Sequence, residues 1–225
     1  MKINLLDYFN EGALSRFPNK LAVIDGERKF SFKELEHYSK NLSSLISDYL
    51  DSSGEPVAVF MPKSAEVIIS NLAILYSGNF YTNFDFASPK DRLNTLIESI
   101  SPKVIITNKE GLVQLNTLNV SVKFLIISVD DALTNKVLYK PDVISDTMAI
   151  KIDTDPACII STSGSTGIPK SVVLSHRNII DFIDWVTTAF TFSQSDVIGS
   201  LSPFHFDIYS LELFVSLSQG SVLHI

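Results

Sequence analysis

Residues 56–107 read PVAVFMPKSAEVIISNLAILYSGNFYTNFDFASPKDRLNTLIESISPKVIIT, and the change of period along them decides the fold. PVAVFM (56–61) is a short apolar run of strand type. SAEVIISNLAILYSG (64–78) has the period and the terminal glycine of a buried helix. FYTNFDF (80–86) is again strand-like, and SPKDRLNTLIESI (88–100) reads as a helix with Ser88 as N-cap, Pro89 at its first position and an apolar face at 93, 96, 97 and 100. KVIIT (103–107) returns to a strand. Strands that recur with helices between them imply βαβ units and a parallel sheet, an α/β fold with mainly parallel sheets flanked by helices.

Outward from this stretch the pattern continues. KFLIIS (123–128) is a strand reached through a short amphipathic piece, and residues 130–155, which lack a clear period and contain several Asp, read as a loop-rich connection. Beyond it come the strands ACIIS (157–161) and SVVLS (171–175), then a helix from about Arg177 capped by Ser175 or its neighbour. VIGSLS (197–202) and SVLHI (221–225) are the last strands, with DIYSLELFVSLSQG (207–220) as an apolar helix between them.

The chain has 225 residues, 45% of them apolar and 19% charged, ample for a hydrophobic core. Its net charge is -7 and its 18 Lys and Arg are scattered, so neither nucleic acid nor an anionic membrane is expected as a partner. Cys158 is the single cysteine, which excludes an internal disulfide, argues against a cysteine-built zinc site and fits a reducing cytoplasm. The opening MKINLLDYFNEG has acids at Asp7 and Glu11 and no signal-peptide core. The longest apolar stretch, Val67 to Tyr76, is far short of a membrane span, and Asn41-Leu42-Ser43 is a chance sequon in a chain of this kind.

Between the strands at 157–161 and 171–175 lies STSGSTGIPK (161–170), rich in hydroxyls and glycine and closed by Pro169 and Lys170. Glycine lets backbone N–H groups converge on an anion, Ser and Thr add short donors, and Lys supplies charge at the rim. GSTGIPKS (164–171) narrowly misses the G-x-x-x-x-G-K-[ST] phosphate loop, because Pro169 stands where the second glycine belongs. The true motif leads straight into a helix, whereas Lys170 is followed by SVVLS. These residues describe a strand-loop-strand phosphate binder.

STSGSTGIPKSVVLSHRN (161–178) resembles the signature loop of the adenylate-forming superfamily, which includes acyl-CoA synthetases, luciferases and the adenylation domains of nonribosomal peptide synthesis. Three further segments carry the resemblance in family order. FSFKELEHYSKNLSSLI (30–46) resembles the early aromatic-x-x-E-L helix, LAILYSGNFYTNFDFASPKDRL (72–93) the L-x-x-L-x-x-G-x-x-Y-x-P-x-D segment, and SPFHFDIYSLELFVSLSQGSVLHI (202–225) the segment with F-D and a later E. Two positions depart from the pattern. Ser171 replaces the Gly that follows the loop Lys, which bears on the loop's closing geometry, and Asn83 replaces a Pro, which reads as a matter of packing.

The resemblance implies an ATP-dependent ligase: a carboxylic acid attacks the α-phosphate of ATP, pyrophosphate leaves, and the acyl group passes to a thiol. By position, Thr162, Ser163, Gly164, Ser165, Thr166, Gly167 and Lys170 are assigned to the ATP phosphates. In relatives that activate amino acids, the Asp of F-D pairs with the substrate ammonium, and Asp207 holds that position. Read from the residues alone, FHFDIY places a carboxylate in an apolar surround, where it needs a cation, or else it only caps the helix that begins there. Ile208 and Leu211 would line an apolar side-chain pocket, and His205 would gate it or serve as a core histidine. Glu212 reads as structural, and His176 with Asn178 as organisers of a helix entry.

The run PFHFD most resembles amino-acid:carrier-protein ligases, so the expected partners are an amino acid, ATP and a phosphopantetheinylated carrier protein. The opening around Phe9, Phe17, Pro18, Ala22 and Val23 favours a stand-alone ligase. Residues 1–225 would then be the N-terminal, incomplete part of the large adenylation domain, with the adenine-binding loop, the Mg²⁺ ligand, the ribose-binding Asp and the catalytic Lys beyond Ile225. ATP and Mg²⁺ are the implied cofactors, with no metal ligand in this chain and this chain alone inactive. Alternatives are a CoA ligase for a non-amino acid or a non-catalytic nucleotide-binding module. A core interrupted at a strand also implies exposed apolar surface and self-association.

Overall fold

The computed structural model describes residues 2–50, 52–134, 139–162 and 169–225. A helical segment, Tyr8–Leu14, precedes the hairpin β1 (Leu21–Asp25) and β2 (Arg28–Ser31). Helix α1 (Phe32–Tyr49) follows directly, and β3 (Pro56–Phe60), α2 (Ala65–Tyr76), β4 (Phe80–Asn83), α3 (Lys90–Ile100) and β5 (Val104–Thr107) then alternate as the quoted stretch implies. The chain continues through α4 (Lys109–Leu115), β6 (Leu125–Ser128), α5 (Val129–Leu133) and α6 (Pro141–Ala149). It closes with β7 (Pro156–Thr162), β8 (Lys170–Ser175), α7 (His176–Ala189), β9 (Val197–Gly199), α8 (Ile208–Gln219) and β10 (Val222–His224).

Among the described residues the strands form two sheets, ordered β2-β1-β10-β9 and β6-β5-β3-β4-β7-β8. Pairing is parallel except for β1 with β2 and β7 with β8, so the expected α/β class with mainly parallel sheets holds. Strand β3 shows why the larger sheet needs helices on both faces. Val57 and Val59 enter the main core with α1, α2, α7 and α8, while Ala58 and Phe60 enter a second core with Leu93, Leu96 and Ile97 of α3. The main core also takes in Val23 and Leu223 of the smaller sheet, which binds the two sheets through the helices between them. Helix α2 is buried along its whole length, as its unbroken apolar character requires.

Three local expectations are corrected. Helix α3 starts one residue late, with Pro89 at the cap position, and the Ser88 hydroxyl instead donates to Asp85 Oδ2 at 3.1 Å. The stretch 130–155, expected as loop-rich, holds most of α5 and all of α6, whose buried residues Ala132 and Ile144 pack on the main core. Strand β4 stops at Asn83 rather than running to residue 86, because Asp85 turns the chain by accepting from the Ala87 N–H at 3.0 Å.

Candidate functional site

Thr162 ends β7, Lys170 opens β8, and the antiparallel register sets them opposite each other. Thr162 Oγ1 donates to the Lys170 carbonyl at 3.3 Å, and one pair further back the Ser161 and Ser171 hydroxyls are 3.2 Å apart. Both Thr162 and Lys170 are exposed, so their hydroxyl and ammonium face solvent at the base of the loop. Ser163, Gly164, Ser165, Thr166 and Gly167 lie outside the described residues. Lys170 leads into a strand and not a helix, which separates this loop from the nucleotide-binding P-loop.

At the carboxyl ends of β3 and β4 there is a cavity of about 370 Å³ whose walls include Met61, Lys63, Asn83, Asp85, Phe204 and His205. Its place is physical. Helix α2 leaves β3 on the main-core face and α3 leaves β4 on the other, so a crevice opens where the two connections part. His205 is half-buried at this crevice, and burial, countered by Asp85, holds its imidazole below the ordinary range. The same ring borders a narrow gap against Cys158, Ile159 and Ile160 of β7, the strand that runs into the hydroxyl-rich loop. His205 thus stands between the cavity and that strand.

The segment 200–207, which carries His205 and Asp207, is tied down along its length. Glu212, buried in α8, accepts from the Ser200 hydroxyl and from the Ser202 N–H, each at 3.0 Å, which gives it the structural role expected. The Phe204 ring lies 4.2 Å from that of Tyr209, whose hydroxyl accepts from Asn71 Nδ2 at 3.2 Å. Lys63 Nζ donates to the Ser200 carbonyl and, at 2.9 Å, to that of Ser202. Asn83 Nδ2 donates to the Phe204 carbonyl at 2.9 Å. The sequence reading missed Lys63 and gave Asn83 only a packing role.

Asp207 differs from its expectation in one respect. It is exposed, not enclosed by the aromatic residues beside it, and it is the N-cap of α8, with Oδ1 accepting from the Ile208 N–H at 2.8 Å. Its other oxygen has no hydrogen-bond partner among the described residues. Ile208 is 41% exposed and Leu211 packs on the main core, and neither lines the cavity that His205 borders. The Phe206 N–H donates to the Pro203 carbonyl at 3.0 Å in a turn that leads directly into α8, and Asp207 is left exposed at the helix end.

His176 and Asn178 organise the entry to α7 as expected. Ser175 and Asn178 form a reciprocal capping box, while buried His176 accepts from the Leu5 N–H at Nδ1, 3.2 Å, and ties the N-terminus to the helix. No group of three His, Cys, Asp or Glu among the described residues could hold a metal ion. Likewise, none of their helices is long and apolar enough to cross a membrane.

Comparison with known proteins agrees with the fold. The family model of the AMP-binding enzymes matches residues 10–225. The chain is 28% identical to tyrocidine synthase 1 of Brevibacillus parabrevis over 93% of its own length and 19% of that protein's. It is 27% identical to the L-proline:L-prolyl-carrier-protein ligase of Pseudomonas fluorescens, over 94% of this chain and 43% of the ligase. The chain therefore spans less than half the length of these relatives. Among solved structures, the Klebsiella oxytoca NpsA N-terminal subdomain in complex with 3-hydroxybenzoyl-AMSN superposes with a TM-score of 0.79 at 24% identity, covering all of this chain and 54% of that one. The nonribosomal peptide synthetase FmoA3 in its AMPPNP-bound form gives 0.84 at 24%, covering 99% and 22%.

Proposed function

The chain belongs to the AMP-binding enzymes, and on that premise we propose that it is the N-terminal part of an adenylation domain that activates an amino acid with ATP. The product is an aminoacyl-adenylate, which the same protein passes as a thioester to the phosphopantetheine thiol of a carrier protein, in the cytoplasm. The observation that carries this reading is the Thr162 and Lys170 pair, which stands opposed in the antiparallel register at the base of the hydroxyl-rich loop, with the Thr162 hydroxyl bonded to the Lys170 carbonyl and both residues exposed. The AMPPNP held by a protein of the same fold and the carrier-protein name of a relative support the nucleotide and the acceptor.

In the first step a substrate carboxylate oxygen bonds to the α-phosphorus and the bond from that phosphorus to the bridging oxygen breaks. The electron pair leaves on pyrophosphate. Lys170 and the hydroxyls from Thr162 to Thr166 neutralise the charge that develops on this leaving group, the kind of term whose loss costs on the order of 100-fold in rate. Mg²⁺, when bound with ATP, would screen the phosphates further. No group of three His, Cys, Asp or Glu among the described residues could hold that ion.

Asp207 sets the substrate class. Its second oxygen is open to an ammonium, and its place at the end of the segment held by Glu212 fixes where that ammonium would bind. His205 gates the approach from the crevice, while Ile208, exposed at the start of α8, would meet the substrate side chain only outside that crevice, and Leu211 supports α8 from the main core. The exposure of Asp207 and its capping bond favour one second reading, a ligase for a carboxylic acid without an amine, in which Asp207 only caps α8. Exchange of labelled pyrophosphate into ATP, driven by each standard amino acid, separates them. With the protein that contains this chain, Asp207→Ala is expected to lower amino-acid-dependent exchange on the order of 100-fold, as for loss of one partner of a charge pair. Undiminished exchange in that variant, or exchange only with simple acids, would refute the amino-acid reading.

A further inference from the structure

We infer that Lys63 and Asn83 are positioning residues that clamp the segment 200–207 onto the ends of β3 and β4 and so set where His205 and Asp207 stand. The inference rests on the substrate role given to that segment above.

Backbone carbonyls only accept hydrogen bonds, so the group facing the Phe204 carbonyl from Asn83 must be the amide nitrogen, and the ammonium of Lys63, with three donors, serves two carbonyls at once. The contacts join positions 121, 137 and 139 residues apart. They cross from the larger sheet to the loop after β9 of the smaller one. Lys63 also stands 4.9 Å from the centre of the Phe204 ring, so one cation holds the segment by its backbone and by its aromatic anchor.

Asn83 has a second peculiarity. It ends β4, and its Oδ1 is buried with no hydrogen-bond partner among the described residues. An aliphatic side chain of the same size would avoid that orphan acceptor, and a proline, the residue the resembling pattern has here, could not donate to Phe204 at all. The side chain is retained at that cost while its one donated bond goes to the residue next to His205. Glu212 holds the start of the segment from the α8 side, and Lys63 and Asn83 hold it from the sheet side. The crevice wall is therefore fixed between two elements.

Two measurements test this on the protein that contains the chain. In Asn83→Leu and Lys63→Met, backbone hydrogen exchange of residues 204–208 is expected to quicken about tenfold with β3 and α2 unchanged, and Lys63→Arg is expected to restore protection in place of Lys63→Met. In pyrophosphate exchange, the same two variants are expected to raise the amino-acid KM about tenfold and leave the ATP KM unchanged. Unaltered protection of 204–208 overturns the clamp. So does a change confined to the melting temperature. The hydrogen-exchange arm needs no substrate, so failure of the amino-acid reading shows as absent exchange in the wild type and leaves this arm free to support or refute the clamp.

Discussion

At His176, burial and a hydrogen bond act on the same ring. The side chain is 2% exposed, Nδ1 accepts from the Leu5 N–H, and burial together with the charge of Lys151 lowers its pKa to about 4 against the opposing pull of Asp155, Asp7 and Asp153. The unfolded chain binds that proton at about pH 6.5. A base whose folded pKa is depressed makes the folded state most secure above the unfolded value, and the contribution is lost as pH falls from about 6.5 through 4. The full loss is about 3 kcal/mol by linkage. Urea midpoints at pH 7 and pH 4.5 should show it, and His176→Gln should flatten that part of the slope. An equal slope in the variant would exclude His176 as its source. This residue was legible only as a helix organiser, because its partner Leu5 lies 171 residues away.

At the level of elements, helix ends are where local sequence speaks most directly. Ser31 and Glu34 satisfy each other's backbone N–H groups at the start of α1, and the backbone bond from Ser31, with its hydroxyl, holds the Glu34 carboxyl below its ordinary range. Ser31→Ala should lower stability by about 1 kcal/mol, read as a shifted urea midpoint at constant slope. An unchanged midpoint would mean α1 is held by packing alone. The same logic placed Ser175 correctly but misplaced the start of α3, where Asp85 captures Ser88 for the preceding turn. Helices α5 and α6 escaped the sequence reading because they are short, five and nine residues, and are held by burying a few side chains and not by an apolar stripe of their own.

Over the whole molecule, β8 is the telling strand. It stands at the edge of the larger sheet, and Val172 and Val173, which point to opposite faces, are 47% and 53% exposed. Trp185 of α7 and the neighbouring Phe190 add exposed aromatic surface. An edge strand with bare backbone and uncovered apolar faces pairs with other chains. The 225-residue chain should sediment with concentration-dependent association, and Val173→Lys should shift it toward the monomer. A monomer at all concentrations for the unaltered chain would refute this.

What the sequence determined by itself was the run of periods and the chemistry of loops: the β3-α2-β4-α3-β5 alternation, the buried α2, the capping Ser175, and the strand-loop-strand placement of Thr162 and Lys170. Each depends on residues within a few positions of one another, and local sterics and burial suffice to fix them. Only the tertiary structure decided that Asp207 faces solvent, that Glu212 anchors the loop after β9, and that Lys63 and Asn83 grip the segment beside His205. These depend on which strand ends lie next to each other once two sheets have packed on shared helices, and no pattern along the chain encodes a hydrogen bond between residues 121 apart.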